Sequence, residues 1–409
     1  MMERQDVYAR LKALHEEHLL RFFGDLTPDE QQAFLAQLSS TDFSCLASFP
    51  HRTDPVRHGV FSPLPAMRLD DIHAQRDAFR TRGLEAAEKG SLGAVLLAGG
   101  MGTRLGADGP KGVFDIGVTH PVYIFQRIFE NLMYAATRIG RPVHLAVMTS
   151  DRNDGETRSF LSSHAFFGYP ADYVHFFRQE MAPAVDEEGH LLLEAPGRLA
   201  TSPNGNGGWL RSMAASGILD LFCRDGVRWL NVFAVDNVLQ NICDPIFFGA
   251  TLESGRPCGA KVVRKAGPEE KVGVMCLEDG RPTVVEYYEL TDEMRNARDG
   301  QGRYLYDFGV INNYLFRIED AVRVMNGSMP LHFAHKKIDC IDEKGRPVHP
   351  KEPNGWKFEY FIFDLIHELD GCLPFEVERD REFAPIKNRT GVDSVESARA
   401  LLIRNGFRL

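Results

Sequence analysis

The feature that most limits the fold of this chain is a short apolar run that leads directly into a glycine-rich loop. Residues 94–98 read AVLLA and are followed at 99–106 by GGMGTRLG. An unbroken apolar run of this kind is typical of a parallel strand that is buried on both faces. The glycines after it let the backbone approach a ligand closely and turn its N–H groups toward anionic oxygens. The sequence therefore predicts a buried strand that ends in an anion-binding loop.

Strands and helices alternate after this loop. Such alternation is typical of an α/β fold with a doubly wound, mostly parallel central sheet. Residues 259–289 differ, because short β-rich runs joined by turn residues predict a small antiparallel insertion near the edge of that sheet. The pattern predicts helices at 122–139, 154–163 and 208–221 and strands at 143–149, 173–177 and 228–235.

The two ends of the chain predict a division into three regions. Residues 1–68 are predicted as a helical N-terminal segment followed by a strap over the surface at 49–68. Thr27-Pro28-Asp29-Glu30 is predicted as the capping box of its second helix. The remaining predictions are a main domain at 69–393, a short C-terminal helix at 394–409, and further helices at 70–89 and at about 356–369.

Composition excludes several classes of function. The chain has 409 residues and a formal net charge of −10, so it has no general electrostatic attraction for nucleic acid or an anionic membrane. Its seven cysteines contain no C-x-x-C pair, which indicates a reducing compartment without structural zinc. The N-terminus is charged throughout, and no apolar run reaches the ~18 residues that a membrane span needs. We therefore expect a cytoplasmic protein whose partners are small molecules.

Two well-known phosphate-binding loops do not match residues 99–112. A dinucleotide-binding fingerprint requires G-x-G-x-x-G, but Leu105 stands where the third glycine is needed. A Walker loop requires G-K-[ST], but Lys111 follows a proline and precedes a glycine. A turn that only shapes the backbone is a third interpretation. The cations Arg104 and Lys111 among so many glycines favour an anion site over such a turn.

The loop and several later segments resemble those of a known family. GGMGTRLG followed by PKG at 110–112 is similar to the eukaryotic-type UDP-sugar pyrophosphorylases, above all the UDP-N-acetylhexosamine (UDP-N-acetylglucosamine) pyrophosphorylases. The resemblance runs from about residue 70 to 393 and implies a Rossmann-like, GT-A-like nucleotidyltransferase domain. The further matching segments are FRQEMAPA at 177–184, SPNGNGG at 202–208, AVDN at 234–237, VVEY at 284–287, PNGWKFE at 353–359 and FAPIKN at 383–388.

The resemblance implies a uridylyltransferase that joins UTP to a sugar 1-phosphate, releases pyrophosphate and uses N-acetylglucosamine 1-phosphate as the sugar. It implies that Arg104, Lys111 and Lys387 are catalytic cations that bind phosphate groups. It implies nucleotide binding by Leu97, Ala98, Gly99, Gly100, Gly102, Thr103, Gln179, Gly205 and Lys357, with Gln179 reading the uracil edge. It implies sugar binding by Asn206, Gly273 and Glu286.

A metal ligand is predicted at the end of one strand. Asp236 follows the apolar run at 228–235, and α/β sheets bind ligands at the carboxyl ends of their strands. Mg²⁺ prefers oxygen ligands and substrate phosphates, and Mn²⁺ is the alternative ion. An aspartate that only caps the strand exit is the competing interpretation. The resemblance assigns Asp236 to the metal.

The sequence departs from the family at two places. The family's G-N-I-x-N-H reads GVINNY at 309–314, so Val310 stands where an asparagine contacts the sugar. A valine side chain forms no hydrogen bond, so Asn312 is predicted to bind the sugar in its place, with Asn313 as the alternative. The chain also ends at Leu409, so the resemblance implies that the further β-rich domain of many members is absent.

Two alternative functions remain open from the sequence. Val310 keeps open a pyrophosphorylase for UDP-glucose or UDP-galactose, or one that accepts several sugars. A protein that only binds UTP or a UDP-sugar as a sensor is the alternative from another class. The simultaneous presence of five charged residues argues against the sensor, namely Arg104, Lys111, Asp236, Lys357 and Lys387.

Overall fold

The computed structural model of the protein describes residues 4–51, 59–327 and 329–409. Its α-helices are α1 (Arg4–Ala13), α2 (Pro28–Ser40), α3 (Leu69–Ala74), α4 (Arg76–Glu88), α5 (Ile124–Ile139), α6 (Asp154–Ser163), α7 (Trp209–Ala215), α8 (Ile218–Arg224), α9 (Pro245–Ser254), α10 (Asp292–Asn296), α11 (Ile318–Met325), α12 (Ile362–Glu368), α13 (Arg379–Glu382) and α14 (Val395–Arg404). Its strands are β1 (Phe61–Pro63), β2 (Leu92–Leu97), β3 (Leu145–Thr149), β4 (Val174–Arg178), β5 (Met181–Val185), β6 (Leu193–Ala195), β7 (Arg198–Leu199), β8 (Thr201–Pro203), β9 (Trp229–Ala234), β10 (Cys258–Arg264), β11 (Val274–Glu278), β12 (Arg281–Val285), β13 (Phe308–Arg317), β14 (His332–Lys336), β15 (Cys340–Ile341), β16 (Pro347–Val348), β17 (Gly355–Glu359) and β18 (Cys372–Glu376).

The described residues group into two compact units. The sequence predicts three consecutive regions, with boundaries at 68/69 and 393/394, and that division stays a prediction. In each unit, three stretches that are distant along the chain come together. The larger unit contains residues 59–179, 209–327 and 363–409, and the smaller unit contains 4–51, 180–208 and 329–362.

A ten-stranded sheet forms the centre of the larger unit. Its main path has the order β1-β11-β13-β9-β2-β3-β4, and β10, β12 and β18 pair beside this path. Strands β9, β2, β3 and β4 run parallel to one another, whereas β13 is antiparallel to β9. Strands β11 and β12 form an antiparallel hairpin. The predicted α/β fold on a central parallel sheet with a small antiparallel insertion is confirmed.

The apolar residues of the larger unit explain how its layers pack. Every residue of β3 is buried, as is every residue of β2 and β9 except the last. On α5, Ile124, Ile128 and Leu132 follow a four-residue spacing that lines one face of the helix, and they join the same core as Leu96 of β2. Burying this face and the sheet removes apolar surface from water, which is the main favourable contribution to folding.

The smaller unit has its own sheet and its own core. Strands β14, β17, β5 and β8 form a four-stranded sheet in that order. Val7 of α1 and Phe34 of α2 pack with Val185 and Phe358 of the sheet. The predicted capping box is confirmed, because the Glu30 backbone N–H donates to Thr27 Oγ1 and the Thr27 N–H donates to Glu30 Oε2.

Some local predictions are wrong. The predicted helix at 356–369 begins later, because residues 355–359 form β17 and pair with β5 and β14 on either side. The predicted helix at 208–221 is interrupted at Gly217, where φ is +76°. The predicted strap at 49–68 falls partly outside the described residues, and β1 within it pairs with β11. At 355–359, tertiary pairing thus overrides local helical propensity.

A membrane span is a separate question. Within residues 4–51, 59–327 and 329–409, none of the helices combines the length and the apolar composition that crossing a bilayer requires.

Candidate active site

The glycine-rich loop after β2 closes on itself. The Gly102 N–H donates to the Gly109 carbonyl at 2.8 Å, and the Lys111 N–H donates to the Gly100 carbonyl at 3.1 Å. Short 3₁₀ turns at Thr103–Leu105 and Lys111–Val113 lie within and after the closed loop. Arg104 is exposed, and its guanidinium group has no hydrogen bond or ion pair with any residue in the described ranges. The loop therefore presents a free cation beside a set of backbone N–H groups.

Asn153 holds the start of this loop in place. Its Nδ2 donates to the Ala98 carbonyl at 2.9 Å and to the Gly100 carbonyl at 3.3 Å, while its Oδ1 accepts from the Ser150 N–H at 2.8 Å. Asn153 is fully buried, and it follows β3, the parallel neighbour of β2. The sequence prediction missed this residue, because nothing near it in the chain indicates a contact with the loop.

Gln179 lies against the first glycine of the loop. A methyl group built on Gly99 would lie 2.9 Å from Gln179 Oε1, so a side chain at position 99 would displace the amide. Gln179 is buried at 8% exposure, and its N–H donates to the Thr149 carbonyl at 2.7 Å. Two predicted nucleotide-binding residues, which are far apart in the chain, are thus neighbours in the fold.

Lys111 and Asp236 meet where two parallel strands end. Leu97 of β2 pairs with Ala234 of β9, so the loops that follow these strands emerge side by side. The Lys111 ammonium lies 3.7 Å from the Asp236 carboxylate, and both side chains are partly accessible, at 16% and 19% exposure. The structure therefore brings the predicted phosphate-binding cation next to the predicted metal ligand.

The segment that carries Lys387 runs beside the Asp236 loop. The Ile386 N–H donates to the Asp236 carbonyl at 2.9 Å, and the Val238 N–H donates to the Ala384 carbonyl at 3.3 Å. Lys387 Nζ forms an ion pair with Asp393 at 3.0 Å, with the lysine side chain at 38% exposure. Three stretches of the chain, around 111, 236 and 387, thus meet at this end of the sheet.

Gly273, Glu286 and Val310 form a second group in the larger unit. A methyl group built on Gly273 would lie 3.6 Å from Val310 Cγ2 and 3.7 Å from Glu286 Oε2. Burial raises the pKa of the Glu286 carboxyl group, Glu289 raises it further, and the positive charge of Lys387 partly offsets the increase. The predicted sugar-binding residues Gly273 and Glu286 are therefore adjacent, and Lys387 acts on the same carboxylate.

The two asparagines after Val310 have different environments. Asn313 is fully buried, its Oδ1 accepts from Asn231 Nδ2 at 2.8 Å, and its Nδ2 donates to Gln240 Oε1 at 3.3 Å. Asn312 lies at an irregularity in β13 with a φ of +54°, and its Oδ1 accepts from the Tyr314 hydroxyl at 3.1 Å. Because Asn313 is committed to internal partners, Asn312 is the asparagine whose amide N–H groups remain available.

Gly205, Asn206 and Lys357 belong to the smaller unit. Gly205 has a φ of +81°, and a methyl group built on it would lie 2.2 Å from the Tyr360 carbonyl oxygen, so glycine is required there. Asn206 Oδ1 accepts from the Ile362 N–H at 3.1 Å. The Lys357 ammonium on β17 has no hydrogen bond or ion pair within the part of the chain that the structure describes.

Comparison with known proteins decides the family. Residues 66–405 match the family model described as UTP--glucose-1-phosphate uridylyltransferase. The chain belongs to this family. It is 36% identical to UDP-N-acetylhexosamine pyrophosphorylase-like protein 1 of Mus musculus, over 100% of this chain and 85% of that protein. It is 34% identical to UDP-N-acetylglucosamine pyrophosphorylase of Saccharomyces cerevisiae, over 84% of this chain and 76% of that protein.

A solved structure supports the same assignment. The crystal structure of uridine diphosphate N-acetylglucosamine pyrophosphorylase from Trypanosoma brucei in complex with an inhibitor matches with a TM-score of 0.84. It is 29% identical, and the match covers 99% of this chain and 85% of that one. The predicted resemblance, fold class and enzyme class, a uridylyltransferase, are confirmed. The roles of individual residues and the metal ion stay predictions.

The residues present fit a magnesium ion that is completed by substrate. Within the described residues, no group of three or more histidine, cysteine, aspartate or glutamate side chains could hold a metal ion. Mg²⁺ is commonly held by one or two carboxylates together with substrate phosphates, so a single partly exposed aspartate suits it. Asp236 meets this description, with its side chain 19% exposed beside Lys111.

Arg389 is a further cation near the loop that the sequence prediction missed. A methyl group built on Gly106 would lie 3.6 Å from Arg389 Nη1, so the guanidinium group approaches the end of the loop. Arg389 is exposed and lines a cavity of about 370 Å³ together with Phe114, Thr390 and Glu396. Arg389 follows Lys387 by two residues in the chain, and only the fold places it beside the distant glycine loop.

Replacing Glu286 with glutamine is expected to stabilise the protein and to weaken sugar binding. The raised pKa of Glu286 means that folding favours its protonated form, so its ionisation costs stability as the pH rises through the folded-state pKa. The Glu286→Gln variant should melt about 1–2 °C above the wild type at pH 8, with a smaller difference at pH 5. Its KM for the sugar 1-phosphate should rise.

Melting curves at several pH values and steady-state kinetics check this expectation. Glu293→Gln, an exposed carboxyl in α10, is the matched control and should change neither quantity. A lower melting temperature for Glu286→Gln at every pH would contradict the assigned cost of burial.

Proposed function

We propose that this protein transfers the uridylyl group of UTP to N-acetylglucosamine 1-phosphate and releases pyrophosphate. The observation that carries the proposal is the meeting of Lys111, Asp236 and the Lys387 segment at the ends of β2 and β9, with Lys111 Nζ 3.7 Å from Asp236. The relatives of yeast and Trypanosoma brucei are named as UDP-N-acetylglucosamine pyrophosphorylases, which supports this choice of sugar.

The reaction needs positioned charge more than it needs a protein nucleophile. A phosphate oxygen of the sugar 1-phosphate attacks the α-phosphorus of UTP, the bond to the β-phosphate bridge breaks, and pyrophosphate leaves with the electron pair. Both reactants are anions, so repulsion and the charge on the leaving group dominate the barrier. Cations and backbone N–H groups that are fixed in advance lower this barrier without reorganisation.

Each charged residue has a proposed task in this scheme. Arg104 and Lys111 bind the β- and γ-phosphates and stabilise the departing pyrophosphate. Lys387 binds the attacking sugar phosphate, and its pair with Asp393 at 3.0 Å orients the ammonium group. Asp236 would hold Mg²⁺, or Mn²⁺ as the alternative, and this ion when bound neutralises charge on the α-phosphate.

The remaining residues are proposed to select the base and the sugar. Gln179 beside Gly99 reads the uracil edge, supported by the close approach of the two residues. Leu97, Ala98, Gly100, Gly102 and Thr103 are proposed to contact the nucleotide from the loop. Gly273, Glu286 and Asn312 are proposed to bind the sugar in the larger unit. Gly205, Asn206 and Lys357 of the smaller unit keep the roles that the resemblance assigns to them.

Pyrophosphate release tests the proposal directly. The purified chain is incubated with UTP, Mg²⁺ and equal concentrations of N-acetylglucosamine, N-acetylgalactosamine, glucose or galactose 1-phosphate. We expect pyrophosphate release with N-acetylglucosamine 1-phosphate, and a higher kcat/KM for it than for the other three sugar phosphates. A higher value for glucose 1-phosphate would favour the UDP-glucose alternative. Tight UTP binding without release from any sugar would favour the sensor.

Val310 is expected to limit the discrimination between sugars. The Val310→Asn variant introduces an amide that donates to the carbonyl of an N-acetyl group, which glucose lacks. We expect the ratio of kcat/KM for N-acetylglucosamine 1-phosphate over glucose 1-phosphate to rise about tenfold, in line with one added hydrogen bond. Competition between the two sugar phosphates measures this ratio. Val310→Leu, which adds no polar group, is the control, and an equal ratio in both variants would contradict the expectation.

A further inference from the structure

A fully buried lysine lies outside the residues assigned so far. Lys261 of β10 has 0% exposure, and its Nζ donates to Glu382 Oε2 at 2.6 Å, to Asp244 Oδ2 at 3.2 Å and to the Asn241 carbonyl at 3.1 Å. An ammonium group has three protons, so each of them has an acceptor. The sequence signal is a lysine among the buried residues of this strand, which reads CGAKVVR and exposes only its last residue, Arg264.

The charge on Lys261 is maintained despite its burial. Desolvation acts to lower the pKa of Lys261, but the carboxylates of Glu382 and Asp244 outweigh it and raise the pKa above its ordinary value. Burial raises the pKa of Glu382, and the lysine partly offsets this increase. A buried ion pair is a weak contributor to stability, since desolvation costs about as much as the attraction returns. Stability alone therefore does not account for this cluster.

Glu382 connects this cluster to the proposed catalytic residues. The Glu382 carbonyl accepts from Asn237 Nδ2 at 2.7 Å, and Asn237 Oδ1 accepts from the Ala384 N–H at 2.9 Å. The next hydrogen bond between the same two segments runs from the Ile386 N–H to the Asp236 carbonyl at 2.9 Å. Asp236 and Lys387 therefore lie at the end of a backbone pairing whose other end is tied to Lys261.

Asp244 fixes the other end of the loop that starts at Asp236. Its Oδ1 accepts from the Ile246 N–H at 3.0 Å and begins α9, while its Oδ2 faces Lys261. The Cys243 N–H donates to Asn231 Oδ1 at 2.7 Å, which ties the same loop to β9. Lys261 thus joins the loop at 236–244 to the segment at 382–387 through its ion pairs with Asp244 and Glu382.

We propose that Lys261 is a positioning residue that sets the spacing between Asp236 and Lys387 by clamping Asp244 and Glu382 to one ammonium group. This inference rests on the proposed function for the tasks of Asp236 and Lys387. Without the lysine, two carboxylates share a buried site with no counter-charge, and their repulsion strains the hydrogen bonds that join the two segments. A displacement of about 1 Å in a reacting group can lower a rate by about 100-fold.

The Lys261→Met variant tests the clamp, because methionine keeps the length of the side chain and removes its charge. We expect kcat to fall about tenfold or more, and the KM for UTP to stay within about twofold, since the glycine loop takes no part in the cluster. Amide hydrogen exchange at Ile386 should become faster, because this N–H spans the pairing with Asp236. Exchange is measured in peptides that cover 383–388.

Glu382→Gln keeps the test informative if Lys261→Met folds poorly. This variant leaves Lys261 paired with Asp244 and retains an acceptor at position 382, so its melting temperature should stay close to that of the wild type. This variant replaces the ion pair between Lys261 and position 382 with a neutral hydrogen bond. We therefore expect smaller effects than in Lys261→Met, with kcat lower by about threefold and faster exchange at Ile386. The control Lys265→Met removes a partly exposed lysine that donates to the Pro268 carbonyl and should alter neither quantity.

The outcomes separate this inference from the proposed function. Variants that melt lower but keep wild-type kcat and wild-type exchange at Ile386 would overturn the positioning role and leave Lys261 as a stability residue. A wild-type protein without uridylyltransfer would overturn the proposed function, whereas faster exchange at Ile386 in the variants would still establish the clamp between the two segments.

Discussion

The Asp236→Asn variant is expected to turn over at least about 100-fold more slowly than the wild type while it folds normally. Asparagine has the same shape as aspartate but lacks the charge that faces Lys111 at 3.7 Å and that we propose as the ligand of Mg²⁺. Removing one preorganised electrostatic group of this kind typically costs a factor of about 100–1,000 in kcat. The side chain is partly exposed, so the substitution leaves no buried group unpaired.

Three measurements check this expectation. Steady-state kinetics should show a lower kcat with a small change in the KM for UTP, and the Mg²⁺ concentration that gives half-maximal rate should rise. The melting temperature should stay within about 2 °C of the wild type. Asp172→Asn, an exposed aspartate of the larger unit, is the matched control. A variant with unchanged kcat and unchanged Mg²⁺ dependence would show that Asp236 holds no catalytic ion.

The Lys111→Met variant is expected to lose about as much of its kcat as Asp236→Asn does, for a different reason. Methionine retains the apolar stem of lysine but removes the ammonium charge that we assign to the departing pyrophosphate. We expect kcat to fall by at least about 100-fold in the forward direction. In the reverse direction the KM for pyrophosphate should rise, because the same charge binds the attacking pyrophosphate there. The KM for the sugar 1-phosphate should change little.

A double-variant cycle distinguishes separate roles from one shared role. If Lys111 and Asp236 stabilise the same transition state, the variant that carries both substitutions should be much less impaired than the product of the two single effects predicts. Lys89→Met removes an exposed lysine at the end of α4 and serves as the control. A normal rate in a folded Lys111→Met variant would refute the role of this lysine in stabilising the departing pyrophosphate.

The sequence predicted the fold wherever a segment's own pattern reflects its burial. The apolar run at 94–98 predicted β2, and the helix predicted at 154–163 has those bounds in the structure. The error at 356–359 has a clear cause, since the pattern there fits a helix until neighbouring strands supply hydrogen-bond partners. Local pattern carries no information about a partner that lies far away in the chain.

The candidate site divides in a similar way. Lys111, Asp236 and Lys387 were identifiable in the sequence because each lies in a distinctive motif. The sequence prediction named Asn312 as a sugar-binding residue and left Asn313 as an alternative for the contact that Val310 lacks. The structure separates them, because Asn313 is fully buried with Asn231 and Gln240 as its partners. Adjacent residues in a strand point to opposite faces of the sheet, so of two neighbouring side chains one can be buried while the other is accessible.

Motifs and hydrophobic periodicity were enough to identify an α/β uridylyltransferase of a recognisable family, because both are local properties of the chain. Three contacts could be seen only in the folded chain: Asn153 supports the glycine loop, Lys111 lies beside Asp236, and Lys261 joins two distant segments. These contacts depend on parallel strands that end at one edge of a sheet. The pairing of those strands is a cooperative result of burying the whole core, so no single segment of the sequence encodes it.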